Sequence, residues 1–461
     1  MVAKRTGAHV SGFDRVIHSK WRTLESELRS FLQRKNFFRM EEYGKDIIQG
    51  TCLEMCPASE VSSREKQRRL HFFETVAFTS PSRCSEHHLG KLIADPRAVI
   101  KEFSRSAAGR SIDPSELRPA NVLLSTMNYL IEEIASKDNT YSWQMIYWFV
   151  FDRARAIRQD LVVQRVTGKP VMEIFERICR FHILSGYRLC ESPLDAFDPK
   201  INNDHTNECL KRLLCFYDEE DPSANRDTRA EFEAYYLLHN LGSFEDLNRA
   251  VNLPEEVKNS CLLRLAFDIT TCIMLKNFVR FFRLVKRLPF LACCAVHKHM
   301  QQVRGDALAA INTAYFCRNA SLPLALLVDM LNFDNAQDAG EFCSHFGMEV
   351  SGTSVKLVKG NLNSLKSSDA PLIRARFSNL IDTKLTVTTR DLLNGKCSET
   401  KALVKSSVPE LVSLTFGKGI CIDQNAAIVE PRSVVKPAFN PQKQSYFGRG
   451  RGRGRGKKPV Y

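Results

Sequence analysis

From about residue 60 to 345 the apolar residues recur every three or four positions, and the pattern predicts helices over 117–135, 143–165, 171–186, 206–217, 230–241 and 257–288. No strand-like alternation interrupts these runs. The breaks between them are short and carry turn or capping residues: Lys137-Asp138-Asn139, Gly168-Lys169-Pro170, Asp221-Pro222-Ser223 and Asn252-Leu253-Pro254. Short breaks make neighbouring helices antiparallel. Successive helical hairpins that each bury a face on the next form an α-solenoid or bundle, here without a fixed period that would name a repeat class.

The grammar changes at 305–358. Three short helical runs (305–317, 322–332 and 336–346) precede Met348-Glu349-Val350 and Val355-Lys356-Leu357, which are separated by Ser351-Gly352-Thr353-Ser354. Three helices and a hairpin spell a winged helix. Ser321 is the expected N-cap of the second helix, with Pro323 in its first turn. The predicted organisation is therefore a basic extension at 1–44, a helical array at 45–300, a winged-helix-like module at 301–360, a partly ordered extension at 361–440 and a tail at 441–461. The extension at 1–44 holds one amphipathic run from Trp21 to Leu32. Gly448 to Lys458 contains only Gly, Arg and Lys, so nothing there can be buried and the tail is predicted to be disordered.

Composition adds a direction. With 44% hydrophobic and 26% charged residues the chain can bury a sizeable core, and its formal charge of +14 favours acidic partners, nucleic acid foremost. Lys443, Arg449, Arg451, Arg453, Arg455, Lys457 and Lys458 supply half of that excess. No apolar stretch follows Lys4, Arg5, His9 and Arg15, which predicts neither a secretory signal nor a membrane span, and an intracellular protein. The fifteen cysteines are scattered among apolar neighbours, as at Cys179, Cys272 and Cys317, and are expected to be buried free thiols.

Candidate chemistry is sparse. Cys52 and Cys56 lie four residues apart, and Cys84, His87 and His88, or Cys293, Cys294, His297 and His299, are the residues that could complete a zinc site; none has ordinary finger spacing, so packing is expected and no metal or cofactor is predicted. No catalytic signature or phosphate loop occurs, which predicts a non-enzymatic protein without a small-molecule substrate. Lys276, Arg280, Arg283 and Arg287 are spaced to project from one side of a helix whose other side carries Phe278, Phe281, Phe282 and Val285. The aromatic side is core; the basic side is either a solvated face or a set of phosphate contacts. Ile146, Val150, Ala154, Ile157 and Leu161 form the apolar face of another helix, whose alternating charges suggest salt bridges to neighbours. In the tail, Arg449, Arg451, Arg453 and Arg455 can pair with phosphates and stack on bases.

Gly50-Thr51-Cys52-Leu53-Glu54-Met55-Cys56-Pro57, followed by Glu60, Arg64-Glu65, Leu70 and Phe73-Glu74, resembles the opening signature of the Sac-three/GANP (germinal-centre-associated nuclear protein) homology family. The likeness continues through Val99-Ile100-Lys101-Glu102-Phe103-Ser104-Arg105, Arg118-Pro119 and Phe151-Asp152-Arg153-Ala154-Arg155-Ala156-Ile157-Arg158-Gln159-Asp160, and covers roughly 45–350. It implies a mainly α, TPR-like helical array followed by a winged helix, the arrangement called PCI-like. It also implies a nuclear scaffold in mRNA export or transcription-coupled mRNA processing, with a PCI-type winged-helix subunit and a small acidic peptide as partners. The paired wings of such complexes bind RNA or DNA. By position, Lys356 and Lys359 would be wing residues, with Arg304 and Arg318 at the ends of the module's first helix. A Phe-Gly-rich region and a long C-terminal helix, found in large members, are not seen in this sequence. Short members imply the alternative of a centrosome- or spindle-associated scaffold, so cytoplasmic or centrosomal placement stands beside the nuclear one.

Overall fold

The computed structural model describes residues 48–79, 93–105, 113–220, 226–317, 320–360, 362 and 375–396. The chain divides into a unit ending at Val408 and a C-terminal one beginning at Pro409, and the latter lies outside the described residues, as do the 1–44 extension and the Arg-Gly tail.

The unit is mainly helical. Its array comprises α1 (Ala58–Lys66), α2 (Ala120–Tyr129), α3 (Trp143–Val163), α4 (Lys169–Arg188), α5 (Pro199–Glu219), α6 (Arg226–His239), α7 (Phe244–Val251), α8 (Cys261–Met274), α9 (Phe278–Val285) and α10 (Phe290–Tyr315). Starts are set by local chemistry. Ser142 accepts from Met145 N–H at the head of α3, Ser243 from Asp246 N–H at α7, and Asp198 from Lys200 and Ile201 N–H at α5, where Pro199 takes the first helical position. Helices pack on sequence neighbours and near neighbours, α4 on α5 and α8 on α6, and the long α10 lies against α4 and α6. One apolar core runs through α2 to α10, from Phe73 to Leu393, while Val61 of α1 packs on a smaller cluster of Cys56, Leu70, Ala94 and Val99.

After α10 come β1 (Ser321–Pro323), α11 (Leu324–Leu331), α12 (Ala336–His345), β2 (Val350–Ser351) and β3 (Ser354–Lys356). The strands form an antiparallel sheet in the order β1-β3-β2, with Leu322 and Val350 both opposite Val355. Gly352 turns the hairpin at φ +57°, a conformation open to glycine. Gly305 lets Phe346 approach α10: a Cβ there would meet the ring at 3.0 Å.

Several expectations are corrected. The predicted helix over 257–288 is two helices, because the chain turns at Lys276 (φ +53°) and restarts at the cap Asn277. Ser321 is no N-cap: Ser321–Pro323 pairs with Ser354–Lys356 as a strand, and Pro323 itself caps α11. The run over 305–317 is the end of α10, which passes unbroken through the expected boundary at 300. Cys317 is exposed, along with Cys215 and Cys261, whereas Cys179 and Cys272 are buried.

Residues 375–396, within the region read as a partly ordered extension, fold back across the array. Tyr187 Oη donates to Asp382 Oδ1 (2.6 Å), Arg177 Nε donates to Asn394 Oδ1 (3.0 Å), and His297 Nε2 lies 2.7 Å from the Arg376 carbonyl. Ile381, Leu392 and Leu393 join the core. Three apolar anchors in a polar sequence do not generate a period, which is why the strap could not be read from periodicity.

Candidate nucleic-acid interface

α9 is oriented by its apolar side. Phe281, Phe282, Leu284 and Val285 are buried, and the two phenylalanine rings meet edge to face with centroids 5.0 Å apart. Burial of each ring is worth roughly 1.5–3 kcal/mol, more than any surface charge contributes. The Asn277 side chain accepts from Arg280 N–H and fixes the first turn. Arg280 and Arg283 are consequently left on the outer side, and Lys286 and Arg287 follow them, all exposed.

This row is weakly neutralised. Arg280 lies 3.9 Å from Asp268 and Lys286 lies 3.7 Å from Asp329, in both cases between exposed side chains. Such pairs contribute about 0–1 kcal/mol and are screened by salt. Arg283 and Arg287 form no ion pair among the described residues.

The structure brings only part of the predicted stripe onto one helix. Lys276 precedes the cap and Arg287 lies beyond the C-cap Lys286, so Arg280 and Arg283 alone are helical. Two cations that the periodicity missed complete the flank. Lys286 is off the predicted spacing but adjacent to Arg287. Lys384, on the returning strap, donates through Nζ to the carbonyls of Lys286 (2.8 Å) and Leu288, where a cation complements a helix C-terminus. The Lys-Arg doublet at 286–287 was a usable signal; nothing in the sequence placed Lys384 beside it.

The module's candidate residues divide. Arg304 is buried: Nε donates to the Leu331 carbonyl (3.0 Å) and Nη2 to the Asn332 carbonyl, and the guanidinium stacks on Phe333 with 4.3 Å to the ring centroid. Burial pulls its pKa down to about 10, against Asp334 and Asp338. Arg304 thus ties α10 to the end of α11 and is withdrawn from any ligand, a correction to its expected surface role. Lys356 is exposed on β3 and pairs with Glu349 at 2.8 Å; Lys359 is exposed just after it. Arg318, Arg449, Arg451, Arg453 and Arg455 lie outside the described residues.

The signature residues do something the sequence reading missed. Glu74, fully buried, receives Arg64 and Arg153 (3.1 Å from Arg153 Nη2) and accepts from Ile100 N–H (3.1 Å). Asp160, also buried, receives Arg118 Nε and Lys101 Nζ, each at 2.7 Å. These ion pairs bind α1, the 98–103 segment, the turn before α2 and α3 into one block, which gives the alternating charges of α3 their structural reason. Nearby, Cys56 is buried with Leu70, Ala94 and Val99, and burial pushes its thiol pKa well up. Cys52 is half-buried, its Sγ 3.3 Å from the Glu54 carbonyl. Among the described residues no group of three or more His, Cys, Asp or Glu is placed to hold a metal ion; Cys84, His87 and His88 lie outside them. No described helix is long and apolar enough to cross a membrane.

Comparison with known proteins bears on the same residues. Protein xmas of Drosophila melanogaster is 29% identical over 361 residues, which cover 75% of this chain and 17% of that protein. SAC3 family protein 1 of Schizosaccharomyces pombe is 28% identical over 371 residues, covering 75% and 35%. Protein THP3 of Saccharomyces cerevisiae is 20% identical over 243 residues, covering 50% and 47%. The chain thus spans from about a sixth to about half the length of these relatives. The profile of the SAC3/GANP family matches residues 55–352, from the buried signature block to the hairpin turn, and on that match the chain belongs to the SAC3/GANP family.

Proposed function

We propose that the chain is a non-enzymatic scaffold of nuclear mRNA export or transcription-coupled mRNA processing, and that it holds RNA or DNA along the α9 flank. The observation that carries this reading is the exposed row Arg280, Arg283, Lys286 and Arg287, weakly neutralised and oriented by a buried aromatic face, in a chain of the SAC3/GANP family. Guanidinium and ammonium groups on a rigid helix contact successive phosphates and release counterions, which gives affinity without base readout and a steep dependence on salt.

The segment from α10 to β3 acts in this reading as a PCI-like winged helix. Its helix, strand, helix, helix and hairpin order, with a three-stranded antiparallel sheet, has the connectivity of that motif. Tyr315 and Phe316, at the end of α10, and Leu326, on α11, are exposed apolar residues. They suit the wing of a PCI-type partner, with a small acidic peptide subunit completing the complex. Lys356 and Lys359 on the hairpin and the Arg-Gly tail extend the nucleic-acid contact.

Fluorescence anisotropy of a single-stranded RNA with the full chain, over a salt series, tests the flank. Arg280→Glu, Arg283→Glu and Arg287→Glu combined should lower affinity at every sequence and flatten the salt slope by about 2, at roughly 0.7 per lost phosphate contact on single strands. An unchanged slope would sink the interface. Partner mass spectrometry on the tagged chain tests the scaffold: a PCI-type subunit is expected, and centrosomal proteins without RNA would replace this reading.

A further inference from the structure

Beside the basic flank the fold leaves an apolar surface uncovered. α8 ends at Met274 with Leu275 as its cap, 40% and 72% exposed, and the chain then turns through Lys276 into α9. The turn is fixed by its backbone: Lys276 N–H donates to the Ile273 carbonyl (3.0 Å) and Asn277 N–H to the Cys272 carbonyl (2.8 Å). The chain entering α7 lies against the same end of α8, where a Cβ on Gly242 would stand 3.9 Å from Ile273 Cγ2. Two residues on, Phe244 opens α7 and is 65% exposed. A single exposed leucine needs no explanation, but an aromatic ring and two aliphatic side chains gathered at one helix junction mark a contact surface.

The neighbouring charges decide what that surface meets. Leu275 follows Asp268 by seven residues and so shares its stripe of α8. Arg280 Nη2 lies 3.9 Å from Asp268 Oδ1, which brings the first cation of the flank onto the same stripe. Lys276, next to Leu275, is exposed and forms no ion pair among the described residues. Apolar side chains and phosphate-binding cations therefore adjoin. A duplex offers such a surface only its charged backbone, because its bases are stacked inside. A single strand offers phosphates to the cations and unpaired base faces to the apolar groups.

We infer that the α9 flank takes single-stranded nucleic acid in preference to duplex, with unpaired bases lying on a shelf made by Phe244, Met274 and Leu275. This rests on the nucleic-acid reading of the flank given above and adds the choice of strand. The cations supply affinity at any sequence. Phe244 supplies a ring on which a base can stack, and Met274 and Leu275 supply aliphatic contact beside it. Every base has a π-face, so the shelf discriminates strandedness and only weakly the bases themselves.

The test is fluorescence anisotropy of the full chain with a labelled oligouridylate and with an RNA duplex of the same length, each over a salt series. The quantity read is the ratio of the duplex Kd to the single-strand Kd, in which contributions of other cations common to both ligands cancel. Phe244→Ser should weaken single-strand binding about fivefold or more, and Leu275→Ser by a smaller factor, while duplex binding stays as it was. Neither change removes a cation, so the salt slope should not move. Both side chains are exposed, and a thermal melt checks that the variants remain folded. Variants that bind the single strand undiminished, as a shelf serving a protein partner would give, overturn the inference, and so does an equal loss on the duplex. Charge reversal at Arg280, Arg283 and Arg287 separates the two failures: a slope that still flattens keeps the flank while the shelf falls, and a slope that stays put takes both.

Discussion

Arginine serves two opposite purposes in the two halves of this fold. Arg64, Arg118 and Arg153 are buried in the signature block and answered by Glu74 and Asp160. Arg280, Arg283 and Arg287 are exposed on the α9 flank and little answered. The difference lies in what surrounds each charge. A buried guanidinium without its carboxylate is strongly destabilising, so the signature charges hold helices together. An exposed one is hydrated whether or not it is paired, so the flank charges are available to a ligand at little cost to the fold.

The contrast can be broken most forcefully at Glu74. Glu74→Ala removes the one fully buried carboxylate facing Arg64 and Arg153, leaving them only the partly exposed Glu60, Glu102 and Asp152, and should cost up to about 3–5 kcal/mol, seen as a lowered denaturant midpoint at unchanged slope. A loss below about 1 kcal/mol would mean that the block is not held by its charges. Acid tests buried groups of another kind, histidines held neutral. His182 and His297 are pushed down to about 3 and about 4 by burial, well below the ordinary 6.5. In this window the unfolded chain takes up protons that the folded chain refuses, so their contribution is complete above pH 6.5 and lost as pH falls. For each, the loss by pH 5 is on the order of 2 kcal/mol. Equilibrium unfolding at pH 8 and 5 should show it, and His297→Gln should reduce the difference.

Arg304 sharpens the comparison because the family resemblance placed it with the ligand-binding group and its burial places it with the structural one. Arg304→Met should cost about 1–3 kcal/mol through the orphaned carbonyls of Leu331 and Asn332 while leaving RNA affinity per folded molecule unchanged. The smallest stability effect belongs to the flank itself. Charge reversal at Arg280, Arg283 and Arg287 should shift stability by no more than about 0.5 kcal/mol per site, although it is the change expected to abolish most of the RNA affinity. A cooperative loss of structure there would erase the distinction between the two sets.

Much of the fold was legible because helices that bury one face announce themselves every third or fourth residue. α3 is the clearest instance: Ile146, Val150, Ala154, Ile157 and Leu161 were marked as its buried side, and all are buried. Elements that owe their shape to distant partners were not legible. Ser321–Pro323 is a strand only because β3 lies beside it, and the 375–396 strap is ordered only by what it lies on. The candidate interface was half legible: periodicity placed Arg280 and Arg283 on the exposed side of a helix, as they are, but it extended that helix through a left-handed residue and passed over Lys286 and Lys384.

The sequence by itself determined the helical array, the family and the surplus of positive charge, since periodicity, motif and composition are local or additive properties. Tertiary structure alone decided which charges are available. Arg304 and Arg283 are chemically identical side chains, each at a helical position with apolar neighbours nearby, and no local pattern separates them. One faces the carbonyls of another helix and the other faces water, because the packing of α10 on α11 and of α9 on the core fixes the direction in which each must point.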